Sequence, residues 1–277
     1  MAPHTILLIE DDEKECSLFA DYIGSMEDFV LVGVADGQAS GLTLLVEQHP
    51  EIVLLDLRLR QGDGTGFLAA LKQLRLPFKP LVIVASGLLT SRTEQAVLRL
   101  GADYCIGKDN RDWSPRGVIG ILRNFLPLVP SGAQLRANEG AISPDLQEAE
   151  LRRLISLTLA RVGISTGDKA NRVLVEMILP VREALKKGAP PPDLKNTVYP
   201  LAAKQLGKSP ATMERSIRAA LKSAWKTIPP DDLRQYYDFP LGTLEDYPSP
   251  RDFIFNFTSA NFCGCAVASR APQDKKD

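Results

Sequence analysis

Ile52-Val53-Leu54-Leu55-Asp56 is the stretch around which the chain is organised. Four consecutive apolar residues, all of them Ile, Val or Leu, read as a strand buried on both faces, as in a parallel sheet. The run stops on a carboxylate, and an acidic group at the carboxyl end of such a strand lies at the mouth of the sheet, where α/β folds place their ligands. An Asp just past a strand is also an ordinary turn residue. Asp56 therefore gains meaning only from the rest of the chain.

Working outward, four more short apolar runs have strand character: Thr5–Ile9, Phe29–Val34, Leu81–Ala85 and Tyr104–Ile106. Helical spacing lies between them, in Leu18, Phe19, Tyr22 and Ile23, in Leu42, Leu45 and Val46, and in Phe67, Leu68, Leu71 and Leu74. It recurs in Ala96, Val97 and Leu100, and finally in Val118, Ile119, Leu122 and Phe125. Strands alternating with helices of this length predict a doubly wound, five-stranded parallel sheet of the flavodoxin-like kind over residues 1–127. Glu10 and Asp11 follow the first strand and Asp56 ends the third, and in a doubly wound sheet these ends are neighbours. Three crowded carboxylates repel one another, and a hard divalent cation, Mg²⁺ above all, relieves that repulsion. Ser86 after the fourth strand offers a hydroxyl, and Lys108 after the fifth offers a cation. A carboxylate nucleophile, Mg²⁺, a hydroxyl and an ammonium together suit phosphoryl transfer.

The remainder differs in character. The 277 residues carry a net charge of −1, which hides an asymmetry. Residues 1–130 hold 12 Lys and Arg against 17 Asp and Glu, a net of −5, and the rest carry 21 against 17, a net of +4. An acidic half joined to a basic half predicts two domains with different partners, the second a candidate for a polyanion. Residues 128–145 are rich in Pro, Gly, Ser and Ala and read as a linker. Residues 146–260 are expected to be all-helical, with helices ending near Gly163 and Gly188, and with Pro180 kinking or breaking the second of them. The tail, 261–277, is expected to be disordered, with Cys263 and Cys265 in it. The four cysteines make no disulfide framework, and no apolar run reaches the length of a membrane span, so the expected setting is cytoplasmic with no membrane partner.

Within the second half, Pro200 opens a short helix, Leu201–Leu206, that ends at Gly207 as its C-terminal stop. Gly207-Lys208-Ser209 forms a tight turn, and Ser209-Pro210 is an N-cap followed by a first helical residue. The next helix runs to about Trp225, with Met213, Ile217, Ala220, Leu221 and Ala224 on one face and Arg215, Arg218 and Lys222 on the other. This describes a helix-turn-helix with a basic exposed stripe. Thr197 to Lys226 holds six basic residues and one acid, Glu214, as expected of a phosphate-binding surface.

Two resemblances bear on these readings. Leu8-Ile9-Glu10-Asp11-Asp12, Leu54-Leu55-Asp56-Leu57-Arg58-Leu59-Arg60-Gln61-Gly62-Asp63-Gly64, Val84-Ala85-Ser86-Gly87 and Gly101-Ala102-Asp103-Tyr104-Cys105-Ile106-Gly107-Lys108 resemble the receiver domain of two-component response regulators. The spacings of 30 residues from Asp56 to Ser86 and 22 from Ser86 to Lys108 agree with that family. The resemblance implies that Asp56 accepts phosphate from a histidine kinase or phosphotransfer protein. It also implies that Asp11, Asp56 and the Arg58 backbone carbonyl hold Mg²⁺ with Glu10 acting through water, and that Ser86 and Lys108 bind the phosphoryl oxygens. This chain departs from the family at Asp109 and Arg60, where proline is usual, and at Cys105, where the aromatic switch residue usually stands. Val198-Tyr199-Pro200-Leu201-Ala202-Ala203-Lys204-Gln205-Leu206 and Met213-Glu214-Arg215-Ser216-Ile217-Arg218-Ala219-Ala220 resemble the DNA-binding effector domains of the sporulation-initiation master regulators. That resemblance carries base-reading roles to Glu214, Arg215 and Arg218, while two further contact positions are Thr212 and Ala219 here. Lys204, Lys208 and Lys222 suit phosphate contacts. Together these imply a phosphorylation-controlled transcription regulator that binds double-stranded DNA, forms a homodimer when phosphorylated and is not a conventional enzyme. The alternative is a signalling adaptor whose helical domain binds a protein.

Overall fold

The computed structural model describes residues 2–76, 78–87, 89–110, 113–126, 144–229, 233, 237 and 247–262. The chain divides into two compact units, the first built around a parallel sheet and the second helical.

In the first unit the order is β1 (His4–Ile9), α1 (Glu13–Gly24), β2 (Phe29–Ala35), α2 (Gln38–Gln48), β3 (Ile52–Asp56) and α3 (Gly64–Leu71), followed by β4 (Leu81–Ser86), α4 (Ser91–Leu100), β5 (Tyr104–Gly107) and α5 (Pro115–Phe125). The sheet order is β2-β1-β3-β4-β5, all parallel. All five residues of β3 are buried, which is why the central strand tolerates an unbroken apolar run. One face of the sheet presents Ile6, Leu8, Ile52, Leu54, Ile83 and Ile106 to Phe19 and Ile23 of α1 and to Val118, Ile119 and Leu122 of α5. Side chains alternate along a strand, so Leu7, Ile9, Val53 and Leu55 serve the opposite face.

Register places the site. Ile9 pairs with Leu55, so Glu10 and Asp56, one residue further along, end up side by side at the carboxyl ends of β1 and β3. Asp56 pairs with Ala85 and Ser86 with Gly107, which carries Ser86 and then Lys108 to the same end of the sheet. The winding reverses between β1 and β3, the switch point where open α/β sheets leave a crevice.

The second unit contains α6 (Pro144–Arg161), α7 (Lys169–Lys186), a π-turn (Leu194–Val198), α8 (Tyr199–Leu206), α9 (Pro210–Thr227) and α10 (Pro250–Phe262). α7 is the central helix, packed on α6, α8, α9 and α10. The expected break at Pro180 does not occur, because helix continues on both sides of it. The proline removes one N–H, but Val173, Met177, Ile178 and Val181 are fully buried and hold the helix in the core. Asn171 ties α7 to α6 by donating to the Ser156 and Ile164 carbonyls, while the Ser156 hydroxyl donates to its Oδ1. Arg182, inconspicuous in the sequence, is 1% exposed and pairs with Glu183 at 2.8 Å. The expected stop at Gly207 is a left-handed residue at φ 63°, and Ser209 caps α9 by accepting from the Thr212 N–H. Phe253 and Phe257 of α10 stack at 5.0 Å, and Trp225 meets Phe253 and Tyr237 edge-on. Residues 128–143 of the expected linker and 263–277 of the expected tail, with Cys263 and Cys265, lie outside the described residues, while Pro144 and Asp145 already belong to α6 and Asn261 and Phe262 to α10.

Gly64 opens α3 directly against β3. A Cβ there would lie 2.4 Å from the Asp56 carbonyl oxygen and 2.8 Å from the Leu57 Cα, both backbone atoms that cannot yield cheaply. Gly64→Ala is therefore expected to lower stability by about 1–3 kcal/mol, read as a lower urea midpoint at unchanged slope.

Candidate functional site

The site begins with two helix starts and three strand ends. Asp12 caps α1 by accepting from the Lys14 and Glu15 N–H groups at 2.8 and 3.1 Å, and those bonds hold its carboxyl below the usual range. With Asp12 turned to the helix, Glu10 is left facing the crevice and Asp11 sits half-buried beside it. Asp63 caps α3 through the Gly66 N–H at 2.7 Å and pairs by backbone with Arg58, which closes the loop after β3.

Asp56 is 7% exposed and Glu10 is 3% exposed. Lys108 Nζ lies 2.7 Å from Asp56 Oδ2, 2.5 Å from Glu10 Oε2 and 2.7 Å from Glu15 Oε2. The other Asp56 oxygen, Oδ1, accepts the Arg58 N–H at 3.0 Å, so the phosphoacceptor candidate is oriented from both sides. Ser86 is buried, and its carbonyl accepts the Lys108 N–H at 2.9 Å, which aims the lysine stem along the strand ends. The Trp113 ring lies 5.2 Å from the ammonium.

Burial by itself lowers the Lys108 pKa. Its hydrogen bonds to Asp56, Glu10 and Glu15 outweigh that and hold its pKa above the ordinary lysine value. Burial moves Glu10 the other way, from 4.5 up to about 7, although Lys108 pulls it down in part. Cys16, whose thiol donates to the Glu10 carbonyl, is pushed up to about 12 by burial and then by the surrounding carboxylates, and so stays an inert thiol.

One carboxylate oxygen from each of Glu10, Asp11 and Asp56 lies within 4.8 Å of the others. The donors are all hard oxygens, and their charge exceeds what a single ammonium balances, so the residues present fit a small divalent cation such as Mg²⁺. Glu10, Asp11 and Asp56 would hold it. Arg58 was the fourth expected ligand through its carbonyl, and its backbone is fixed beside Asp56 by the bond to Oδ1.

The structure thus brings Glu10, Asp11, Asp56, Ser86 and Lys108 to one end of the sheet. Two contributors were not read from the sequence, Glu15 and Trp113. Glu15 stands three residues after Asp12, where a capping pair would have it bond back to the Asp12 backbone; instead it reaches Lys108. No sequence signal marks Trp113, which arrives through tertiary packing against Phe19 at 5.4 Å. At the usual switch position, Cys105 is buried, and the exposed neighbour Tyr104 packs on Phe125 at 5.1 Å.

The sequence model of the response regulator receiver domain family matches residues 6–113, less than half of the chain. Residues 6–113 are a response regulator receiver domain. Receiver domains bind Mg²⁺ at an acidic pocket and interact with histidine kinases or phosphotransfer proteins. Among solved structures, this chain is similar to a CheY-like receiver domain protein from Methanospirillum hungatei JF-1, at 22% identity over 46% of this chain and 95% of that one, TM-score 0.40. It is also similar to the receiver domain of a NarL response regulator from Mycobacterium tuberculosis, at 21% identity over 45% and 96%, TM-score 0.41.

The DNA-reading candidates lie in the second unit. Lys204, Arg215, Arg218 and Lys222 are exposed, and Lys208 and Glu214 are half-buried. Arg218 Nη2 bonds Glu214 Oε1 at 2.7 Å, one turn apart on α9. Opposite them Met213, Ile217, Leu221 and Ala224 are buried, while Ala220 is half-buried. No helix among the described residues is long and apolar enough to cross a membrane.

Glu10 gives the receiver site a pH signature. Between its ordinary pKa of 4.5 and about 7 the folded protein holds a proton that the unfolded chain has lost, so stability falls as pH rises through that window. The loss is at most about 3 kcal/mol. In Mg²⁺-free buffer, the melting temperature of Glu10→Gln relative to wild type is expected to rise from pH 5 to pH 8. A flat difference would show that Glu10 ionises normally.

Proposed function

We propose that this protein is a phosphorylation-controlled DNA-binding regulator, with Asp56 as the phosphoacceptor and α9 as the DNA-reading helix. An Asp56 carboxylate oxygen forms the new P–O bond as the P–N bond to a donor imidazole breaks, and the imidazole leaves with the electron pair. Lys108 already lies on Asp56, so its ammonium has only to shift from carboxylate to phosphoryl oxygens, with Ser86 offering its hydroxyl to the same group. Mg²⁺ bound at the carboxylates would neutralise charge on the incoming group.

The DNA reading rests on one observation: a left-handed Gly207 turn leads into a capped helix whose outer face carries Arg215, Arg218 and Lys222 while its inner face is buried. Arg can read guanine through O6 and N7, and Glu can accept from cytosine N4. Because Glu214 and Arg218 hold each other, the base-reading pair is positioned before DNA arrives.

Incubation with a small phosphodonor and Mg²⁺ is expected to add one acid-labile phosphoryl group to wild type and none to Asp56→Ala. Gel shifts at low salt with genomic fragments are expected to show binding that strengthens on phosphorylation. Arg215→Ala with Arg218→Ala should abolish it. An adaptor would keep its signalling output in that double variant, and the absence of any binding in either phosphorylation state would remove the DNA reading. One recognition helix offers little affinity and paired half-sites multiply it. Sedimentation is therefore expected to move from monomer to dimer on phosphorylation.

A further inference from the structure

A lysine ammonium carries three N–H donors, and in Lys108 all three meet carboxylates. They go to Asp56 Oδ2 at 2.7 Å, Glu10 Oε2 at 2.5 Å and Glu15 Oε2 at 2.7 Å. A phosphoryl oxygen arriving at Asp56 finds no N–H in reserve, so one of the three carboxylates has to release its own.

The three are not equally replaceable. Asp56 is held a second time, its Oδ1 accepting the Arg58 N–H at 3.0 Å. Glu10 is held likewise, its Oε1 accepting the Asp12 N–H at 3.2 Å. Both are buried, at 7% and 3% exposure, where little water is at hand for a carboxylate that loses a partner. Glu15 differs on both counts. Its side chain is 28% exposed, and among the described residues Lys108 is its one hydrogen-bond partner. Once released it can be rehydrated, so its release costs least. It also comes from another part of the fold, since Glu10 and Asp56 stand at strand ends while Glu15 lies in the first turn of α1.

Charge argues in the same direction. Carboxylate oxygens of Glu10, Asp11 and Asp56 already gather within 4.8 Å of one another, and Glu15 adds a further negative group beside the Lys108 ammonium. A phosphoryl group is itself anionic, so each carboxylate on Lys108 lowers what the ammonium can offer it.

We propose that Glu15 is a positioning residue that limits phosphoryl uptake through Lys108. It holds one N–H of the ammonium in the unphosphorylated protein and surrenders it when a phosphoryl group arrives, and so acts as a brake. Such a role depends on the reading of Asp56 as the phosphoacceptor.

The test uses the full chain as wild type, Glu15→Gln, Glu15→Ala and, as a control for charge in the same helical turn, Glu13→Gln. Beryllium fluoride, which occupies a phosphoryl position on a carboxylate, is titrated at saturating Mg²⁺ with two-dimensional NMR as the readout. Glu15→Gln keeps the shape of the side chain and removes its charge. It is expected to bind the probe about two- to fivefold more tightly than wild type, the size expected of a partly exposed ion pair. Glu15→Ala, which removes the acceptor altogether, is expected to gain at least as much, and Glu13→Gln to match wild type. Without Mg²⁺ or probe, Glu15→Gln is also expected to shift the Lys108 ammonium resonance and speed its exchange with water, while Glu13→Gln leaves both unchanged. A Glu15 that only anchored α1 would give the opposite sign, because its loss would loosen the crevice and weaken binding. Equal or weaker probe binding by both Glu15 variants, or an unmoved Lys108 resonance, overturns the proposal while leaving Asp56 as acceptor. A gain shared equally by Glu13→Gln overturns it too, since bulk charge rather than the contact would then be at work. Wild type that binds no probe and takes up no phosphoryl group removes the phosphoacceptor reading and this role with it.

Discussion

The receiver domain depends on one ammonium group. Lys108 lies 2.5 to 2.7 Å from carboxylate oxygens of Asp56, Glu10 and Glu15, in a crevice whose walls expel water. Even with that cation beside it, burial raises the Glu10 pKa to about 7. Parallel register serves this arrangement. A one-residue slip of β3 against β1 would turn Asp56 into the core and carry Leu55 to the mouth of the sheet. The apolar faces that fix register therefore also fix the chemistry.

The same site shows how a charge cluster is kept ready to change partners. Asp56 is held through both oxygens, by the Arg58 N–H and by Lys108, so its direction is set. Lys108 in turn is held by three acids, one of which, Glu15, belongs to a helix rather than to a strand end. Through Glu15 the ammonium ties the crevice to α1 as well as to two strand ends.

The helical unit follows a different logic. Its core is organised on α7, and the buried Asn171 fixes how that helix meets α6 and the turn after it. Pro180 shows how local propensity yields to packing, since a residue that should end a helix is carried through by the burial of Val173, Met177, Ile178 and Val181.

Much of this was legible in the amino-acid sequence. Strand and helix periods follow from side-chain geometry, so the five-stranded parallel sheet, the Gly207 stop and the Ser209 cap could be read locally. Glu10, Asp56, Ser86 and Lys108 were readable because each ends, or closely follows, a strand, and strand ends converge whenever the sheet is parallel. Glu15 and Trp113 were not. Their roles depend on the distant Lys108 that both meet, and neither spacing nor propensity encodes such contacts. The sequence by itself determined the elements and the acidic pocket; only the tertiary structure decided which side chain each charge would face, because that choice is made by packing across elements far apart in the chain.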